Sequence, residues 1–301
     1  MSITKETINP RVDIAFKKIF GVEENKDLLI SLINSIVSKE DQVTEVTLLN
    51  PYNPQNFKSD KLSILDIKAT NHEGKRFNIE IQITDESDYD KRALYYWAKL
   101  YTEQLKSGDD YSQLSKAIGI HILNFTSIPE VKKYHNVFHI TEKETGMSYF
   151  KNLELHTIEL NKFVENVRAD LADIAAKVKN ALDMWSTFLT RNDVLKAGNL
   201  PKELDNPSLK KAINVLEVMN FTDEERSFYD DHLKWLRMEA SALQKRGDEK
   251  FAEGKAEGEA IGVTKGKAEV ITNMLEQGMD INLIAKVTGY TIEQITKIYG
   301  I

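Results

Sequence analysis

The sequence predicts an α/β protein, a core sheet flanked by helices and followed by an all-helical C-terminal extension. Three observations carry this. SILDIKAT (63–70) and RFNIEIQIT (76–84) alternate with the two-residue period of strands and are joined by the turn-like NHEGK. AIGIHILNF (117–125) is nearly all apolar, as a strand buried on both faces would be. After about residue 160 the apolar residues change to three- and four-residue spacing, the helical period, in segments near 162–190, 208–219 and 223–246.

Taken in order, PRVDIAFKKIFG reads as a helix with apolar Ile14, Phe16, Ile19 and Phe20, stopped by Gly21; NKDLLISLINSIV is a second helix. VTEVTLLN (43–50) is a strand, closed by the turn-rich NPYNPQN. The 63–84 hairpin follows, then a long helix from about Ser87 to Lys106, with Asp88 and Asp90 suiting its positive N-terminal end. VFHITEK and LELHTIEL are further strands. These segments divide the chain into a core (1–160), a helical extension packed on it (161–246) and a C-terminal segment (247–301). In that last segment Gly254, Gly258, Gly262 and Gly266 recur every four residues, and each costs an isolated helix roughly 1 kcal/mol relative to alanine. The stretch is either a hinge-like linker or a helix stabilised by a close partner. Residues 279–301 form a helix–turn–helix pattern, with Gly289 in the turn and Thr291 and Gln294 as a capping box. A groove-reading second helix would display Glu293, Gln294, Thr296 and Lys297, a set poor in arginine and lysine; an interaction or dimerisation hairpin suits it better.

Composition narrows the chemistry. The chain has 301 residues, 41% hydrophobic and 29% charged, as a soluble globular protein has. Cysteine is absent, which excludes disulfides, thiolate zinc sites and cysteine nucleophiles. The N-terminus lacks the layout of a signal peptide and no apolar run is long enough to span a bilayer, so a cytoplasmic location is expected. The net charge of −7 argues against coating nucleic acid by bulk electrostatics. Basic residues do gather near the hairpin (Lys17, Lys18, Lys58, Lys61, Lys68, Lys75, Arg76, Lys91 and Arg92), where a phosphate-binding face would need to form.

The hairpin carries the chemistry. Leu65, Ile67 and Ala69 face one way and Asp66 and Lys68 the other; Phe77, Ile79, Ile81 and Ile83 oppose Asn78, Glu80 and Gln82. If Asn71 to Lys75 form the loop, antiparallel pairing sets Asp66 across from Glu80. Directly opposed side chains have Cβ atoms about 4.5–5.5 Å apart, and two like charges there destabilise the pair unless one is protonated or a cation lies between. Mg²⁺ suits the position because it favours carboxylate oxygens and keeps waters. The bland alternative is a solvated polar face on an ordinary hairpin. The six histidines show no metal-ligand spacing, and His121 reads as a paired core residue.

Asp66 … Glu80-x-Gln82, on two adjacent strands before a long helix, resembles the PD-(D/E)XK nuclease superfamily. With NPRVDIAFKKIFG, ILDIKATNHEGKRFNIEIQ, YDKRALYYWAKLYTEQLKSGDDY and LELHTIELNKF, the chain looks like the recombination-promoting (Rpn-type) nucleases, also described as PD-(D/E)XK family putative transposases, over roughly residues 8–245. The resemblance implies a restriction-endonuclease-like core, Mg²⁺-dependent cleavage of double-stranded DNA (Mn²⁺ as a substitute), and a role in recombination or mobile-element biology in bacteria. By position it makes Asp66 and Glu80 the metal-binding acids, with the main-chain carbonyl of Ile81 as a further ligand and Asp13 a further acidic position. Gln82 stands where the wider superfamily has lysine; glutamine can orient a water but supplies neither positive charge nor a base. Lys68, on the same face as Asp66, is the candidate for the missing charge. Lys17 and Arg92 are candidate DNA contacts, each with a structural alternative.

The expected function is therefore a Mg²⁺-dependent DNA endonuclease, with Asp66, Glu80, Gln82 and Lys68 at its centre and a dimer formed through the C-terminal region. The rival is a catalytically silent module that keeps the fold for DNA binding or interaction.

Overall fold

The computed structural model describes residues 8–52, 66–83, 88–163 and 170–299. Leu65 and the expected phosphate-face residues Lys58 and Lys61 lie outside these. The chain divides into two compact units, Met1–Leu236 and Arg237–Ile301.

The first unit is built on a six-stranded sheet of order β1-β2-β3-β4-β6-β5. Its strands are β1 (Thr47–Leu48), β2 (Ile67–Thr70), β3 (Arg76–Gln82), β4 (Ala117–Leu123), β5 (His135–Phe138) and β6 (Leu153–Glu159). β3, β4 and β6 run parallel; β1–β2, β2–β3 and β5–β6 are antiparallel. The expected hairpin register holds: Thr70 pairs with Arg76 and Ile67 with Ile79, so continuing it by one residue sets Asp66 opposite Glu80. The loop is closed by Asn71, whose Oδ1 accepts from the N–H groups of Glu73 and Lys75, and by Gly74 at φ 80°, a left-handed conformation that glycine adopts without a Cβ penalty.

Helices α1 (Asp13–Phe20), α2 (Lys26–Ile36), α6 (Ala181–Arg191) and α7 (Pro207–Val218) share one core with the Ile67, Phe77, Ile79, Ile118 and Ile120 face of the sheet; the short α4 (Leu160–Phe163) and α5 (Leu171–Lys177) precede α6 in the chain. The residues after 160 are thus part of the same core as the sheet. At its centre Trp185 meets Phe20 and Phe188 edge-on, at centroid distances of 5.3 and 5.8 Å. Two of the later helices start where their caps dictate. Asn180 Oδ1 accepts from Asp183 N at 2.8 Å, and Asn206 caps α7 ahead of Pro207. The opposite face of β3 and β4 is covered by α3 (Tyr89–Thr102), where Tyr89 and Ala93 pack with Leu123 and Phe125. β3 is therefore buried on both sides. Asn78 and Glu80, on the face a solvated-hairpin reading would expose, are 2% and 7% accessible.

One expectation is corrected. The strand expected over 43–50 pairs only at Thr47–Leu48; Val43 and Val46 are buried in the core without joining the sheet, because an apolar side chain can be buried without its backbone pairing. Of the two alternatives for the glycine-periodic stretch, linker or helix, it is the helix, within α8 (Asp223–Glu276), and a Cβ at Gly254, Gly258, Gly262 or Gly266 would meet nothing within 4 Å.

In the second unit the end of α8 joins α9 (Ile281–Thr288) and α10 (Ile292–Tyr299) around Ile271, Ile284 and Ile295. Gly289 caps α9 at φ 77°. The Thr291–Gln294 box is closed in both directions, at 2.9 and 3.2 Å. Leu283, Val287 and Ile292 remain exposed.

Candidate active site

Glu80, Gln82 and Arg92 meet at the carboxyl end of β3, and the Glu80 charge reaches Asp66 and Asp13. In parallel sheets this is the end where ligands bind. β3 supplies Glu80 and Gln82 two residues apart, hence on one face. The Gln82 carbonyl accepts from Asn124 N, just beyond β4. Backbone direction alternates along a strand, so the Ile81 carbonyl points the other way, toward the β2 side and past the last registered pair, Ile67–Ile79.

Glu80 is the hub. Its Oε1 lies 3.3 Å from Arg92 Nη2, and its Oε2 lies 3.5 Å from His121 Nδ1. Among the described residues that buried Oε2 accepts no hydrogen bond. A buried carboxylate oxygen left without a partner is costly unless something else, such as a cation, occupies its lone pairs. Arg92 Nη2 also donates to Gln82 Oε1, and the guanidinium lies 5.5 Å from the ring centroid of Tyr89.

Asp66 is half-buried at the start of β2. Burial raises its pKa, Lys17 and Lys68 pull it down, and Glu80 adds a further upward push. Asp13 is 8% accessible, and its pKa is raised to about 7, first by burial and then by the Glu80 charge, with Arg92 opposing. Asp13 lies in the first turn of α1, where an aspartate suits the helix dipole, but it does not cap the helix: Val12 is the N-cap and no side chain caps it. His232 Nε2 lies 3.9 Å from Asp13 Oδ2. Asp13 and Asp66 thus both feel Glu80, although no three His, Asp or Glu side chains among the described residues are close enough to share an ion.

The basic residues are arranged differently from the expected phosphate face. Lys17 is 2% accessible and donates to the Asp66 main-chain carbonyl at 2.7 Å, so its charge acts inside the site rather than on a DNA-facing surface. Lys68 pairs with Glu103, just past the end of α3, at 3.3 Å, Lys18 with Glu225 at 2.8 Å, Lys75 with Asp41 at 3.3 Å and Lys91 with Asp88 at 2.6 Å. Apart from Asp88, three residues from Lys91, these partners are distant in sequence, which charge counting does not reveal. His121 is a paired core residue as expected, 1% accessible and 2.8 Å from Tyr89 Oη. Its contact with Glu80 follows from the parallel β3–β4 register, which pairs Glu80 with His121 and which no local pattern encodes.

A family model of the PD-(D/E)XK nuclease family transposases matches residues 10–246. The chain belongs to that family. Neither a curated protein nor a solved structure matches it. The match runs from the approach to α1 into α8 and takes in the whole sheet, so the mixed α/β architecture is the PD-(D/E)XK fold. In this family, nuclease-type chemistry with divalent metals is the norm. The residue types here suit such an ion: a Glu80 oxygen that accepts no hydrogen bond among the described residues, Asp66 one register step beyond Ile67–Ile79, and an adjacent main-chain carbonyl are all oxygen donors. Mg²⁺ needs no more, since it is commonly held by one or two carboxylates and retains waters.

Proposed function

We propose that the protein is a Mg²⁺-dependent endonuclease acting on double-stranded DNA in recombination or mobile-element biology. One observation carries the reading: a buried glutamate oxygen at the carboxyl end of β3 that accepts no hydrogen bond among the described residues, with a second acid in register across the hairpin. Asp66, Glu80 and the Ile81 carbonyl would hold the ion, with Asp13 as a further acid near it. Bound there, a divalent ion lowers the pKa of a water and offsets charge on the attacked phosphate. Gln82 would help to order that water, and Lys68, whose charge acts on Asp66, would temper the negative field of the acids. Lys17 holds the Asp66 main chain and so sets where the first acid stands.

The test is nicking or linearisation of supercoiled plasmid in Mg²⁺ or Mn²⁺ against EDTA. Asp66→Ala and Glu80→Ala should each abolish cleavage with circular dichroism unchanged, and wild-type rates in either would refute the assigned site. A second reading, a silent binding or interaction module with this fold, has support in the net charge of −7 and in the intramolecular pairing of Lys18, Lys68, Lys75 and Lys91. Calorimetric titration with Mn²⁺ separates the two, since only the nuclease reading requires binding that disappears in Glu80→Ala. Dimerisation belongs to the same proposal: Leu283, Val287 and Ile292 leave apolar surface exposed on the small C-terminal unit, which a second copy would cover.

A further inference from the structure

We propose that Arg92, delivered from α3, is the cation that meets the charge developing on the attacked phosphate, and that Gln82 acts as its anchor. The inference rests on the nuclease reading. Three cations surround the acids, and their geometry distinguishes them. Lys17 is 2% accessible with its ammonium on the Asp66 carbonyl, out of reach of a substrate. Lys68 is drawn to Glu103 near the far end of α3. Arg92 places one nitrogen, Nη2, between Glu80 Oε1 and Gln82 Oε1, while its side chain keeps 29% exposure toward solvent. It is the only one of the three that both touches the proposed metal ligand and retains an accessible surface.

Why glutamine rather than lysine stands at 82 then has a physical account. A lysine two residues from Glu80 on the same strand face would set a second positive charge against the guanidinium. Glutamine offers a neutral oxygen that accepts from it. Guanidinium also suits the task better than ammonium, because its planar fork can bond one carboxylate or amide edge and still present N–H groups to phosphate oxygens. The Tyr89 ring, 4% accessible and 5.5 Å from the guanidinium, limits its movement, so its orientation is set before substrate arrives.

In hydrolysis the water oxygen bonds to phosphorus and the bridging phosphorus–oxygen bond breaks. The attacking water loses one proton and the departing oxygen gains one. Negative charge builds on the non-bridging oxygens between these events, and a fixed donor aimed there is worth about 10²–10³ in rate. The expected role is therefore in the chemical step rather than in metal loading.

The experiment compares full-length wild type, Arg92→Ala, Gln82→Lys and the double variant Gln82→Lys/Arg92→Ala, measuring both plasmid cleavage and Mn²⁺ affinity by calorimetry. Arg92→Ala should lose about 100-fold in cleavage while keeping or tightening its Mn²⁺ affinity, since a competing cation has left Glu80. Gln82→Lys alone should lose activity, and the double variant should recover at least about tenfold over Arg92→Ala, a lysine on the strand replacing the arginine on the helix. Near-wild-type cleavage by Arg92→Ala would overturn the proposal and leave the nuclease reading intact. So would a loss of Mn²⁺ affinity that parallels the loss of cleavage, or a double variant no better than Arg92→Ala. A wild type that cuts no DNA overturns the nuclease reading itself, and the role of Arg92 with it.

Discussion

Acidification should weaken the sheet edge through His135, and the effect can be worked from its surroundings. Nε2 of His135 lies 3.0 Å from Nδ1 of His156, and Nε2 of His156 lies 2.7 Å from Glu154 Oε1. Glu154 Oε2 is paired with Lys116 at 2.8 Å and Lys116 with Asp41 at 2.6 Å, while His139 stands 3.5 Å from Glu154. With His156 Nε2–H donating to Glu154, the His156 Nδ1 lone pair accepts from His135 Nε2–H; a second proton on His135 leaves that bond in place but puts a charge into a half-buried site. Burial first, then the neighbouring His156 and Lys133, lower the His135 pKa from 6.5 to about 4. A depressed histidine leaves the unfolded chain holding more protons, so stability falls as pH drops from about 6.5 toward 4. Between pH 7.5 and 5 the full linkage is about 2 kcal/mol, and partial solvent screening reduces it to about 1–2 kcal/mol. Glu154 does not confuse the measurement. Although burial opposes it, bonds from His156 and Lys116 hold its pKa at about 2, so its contribution is lost only as pH falls below about 4.5. Asp13, its pKa raised to about 7, gains stability over the same window, so in urea unfolding followed by tryptophan fluorescence at pH 7.5, 6 and 5 the His135 loss is read as the difference between wild type and a variant that cannot titrate there. In His135→Gln, which keeps a donor for His156 but cannot titrate, the loss should be smaller by about 1–2 kcal/mol. Parallel pH slopes in the two proteins would refute the assignment.

Three further outcomes follow from particular contacts. Trp185→Ala, at a fully buried position against Phe20 and Phe188, should cost about 3–5 kcal/mol in urea unfolding; a loss under 1 kcal/mol would mean the cavity collapses freely. Lys68→Ala should lower the cleavage rate more than Lys75→Ala, because the Lys68 charge acts on Asp66 whereas Lys75 lies in the turn on Asp41 and Glu73; equal effects would remove Lys68 from the site. A chain ending at Arg246 should retain Mn²⁺ binding but lose self-association in sedimentation, and an unchanged association state would sink the dimer assigned to the C-terminal unit.

What the sequence determined by itself was local or strictly periodic. The alternation in 63–84 set which residues of the hairpin share a face, and the five-residue loop set the register that opposes Asp66 to Glu80. Gly289 and the Thr291–Gln294 box marked the C-terminal helices for the same reason, since caps act within one turn. Tertiary structure decided everything that depends on a second element crossing the first. Alternation looks the same whether the polar face of β3 meets water or a helix, so only α3 shows that Glu80 is buried. Asp13 in a first helical turn reads as a dipole or capping residue until packing brings it under the influence of Glu80. Whether the lysines near the hairpin converge on one face could not be read from the sequence, because a count of charges carries no direction; Lys18, Lys68 and Lys75 pair with acids distant in sequence and Lys91 with Asp88 three residues away. Arg92 and Gln82 are ten residues apart across a strand end and a helix start, and no period links them; the packing of α3 on β3 brings them together.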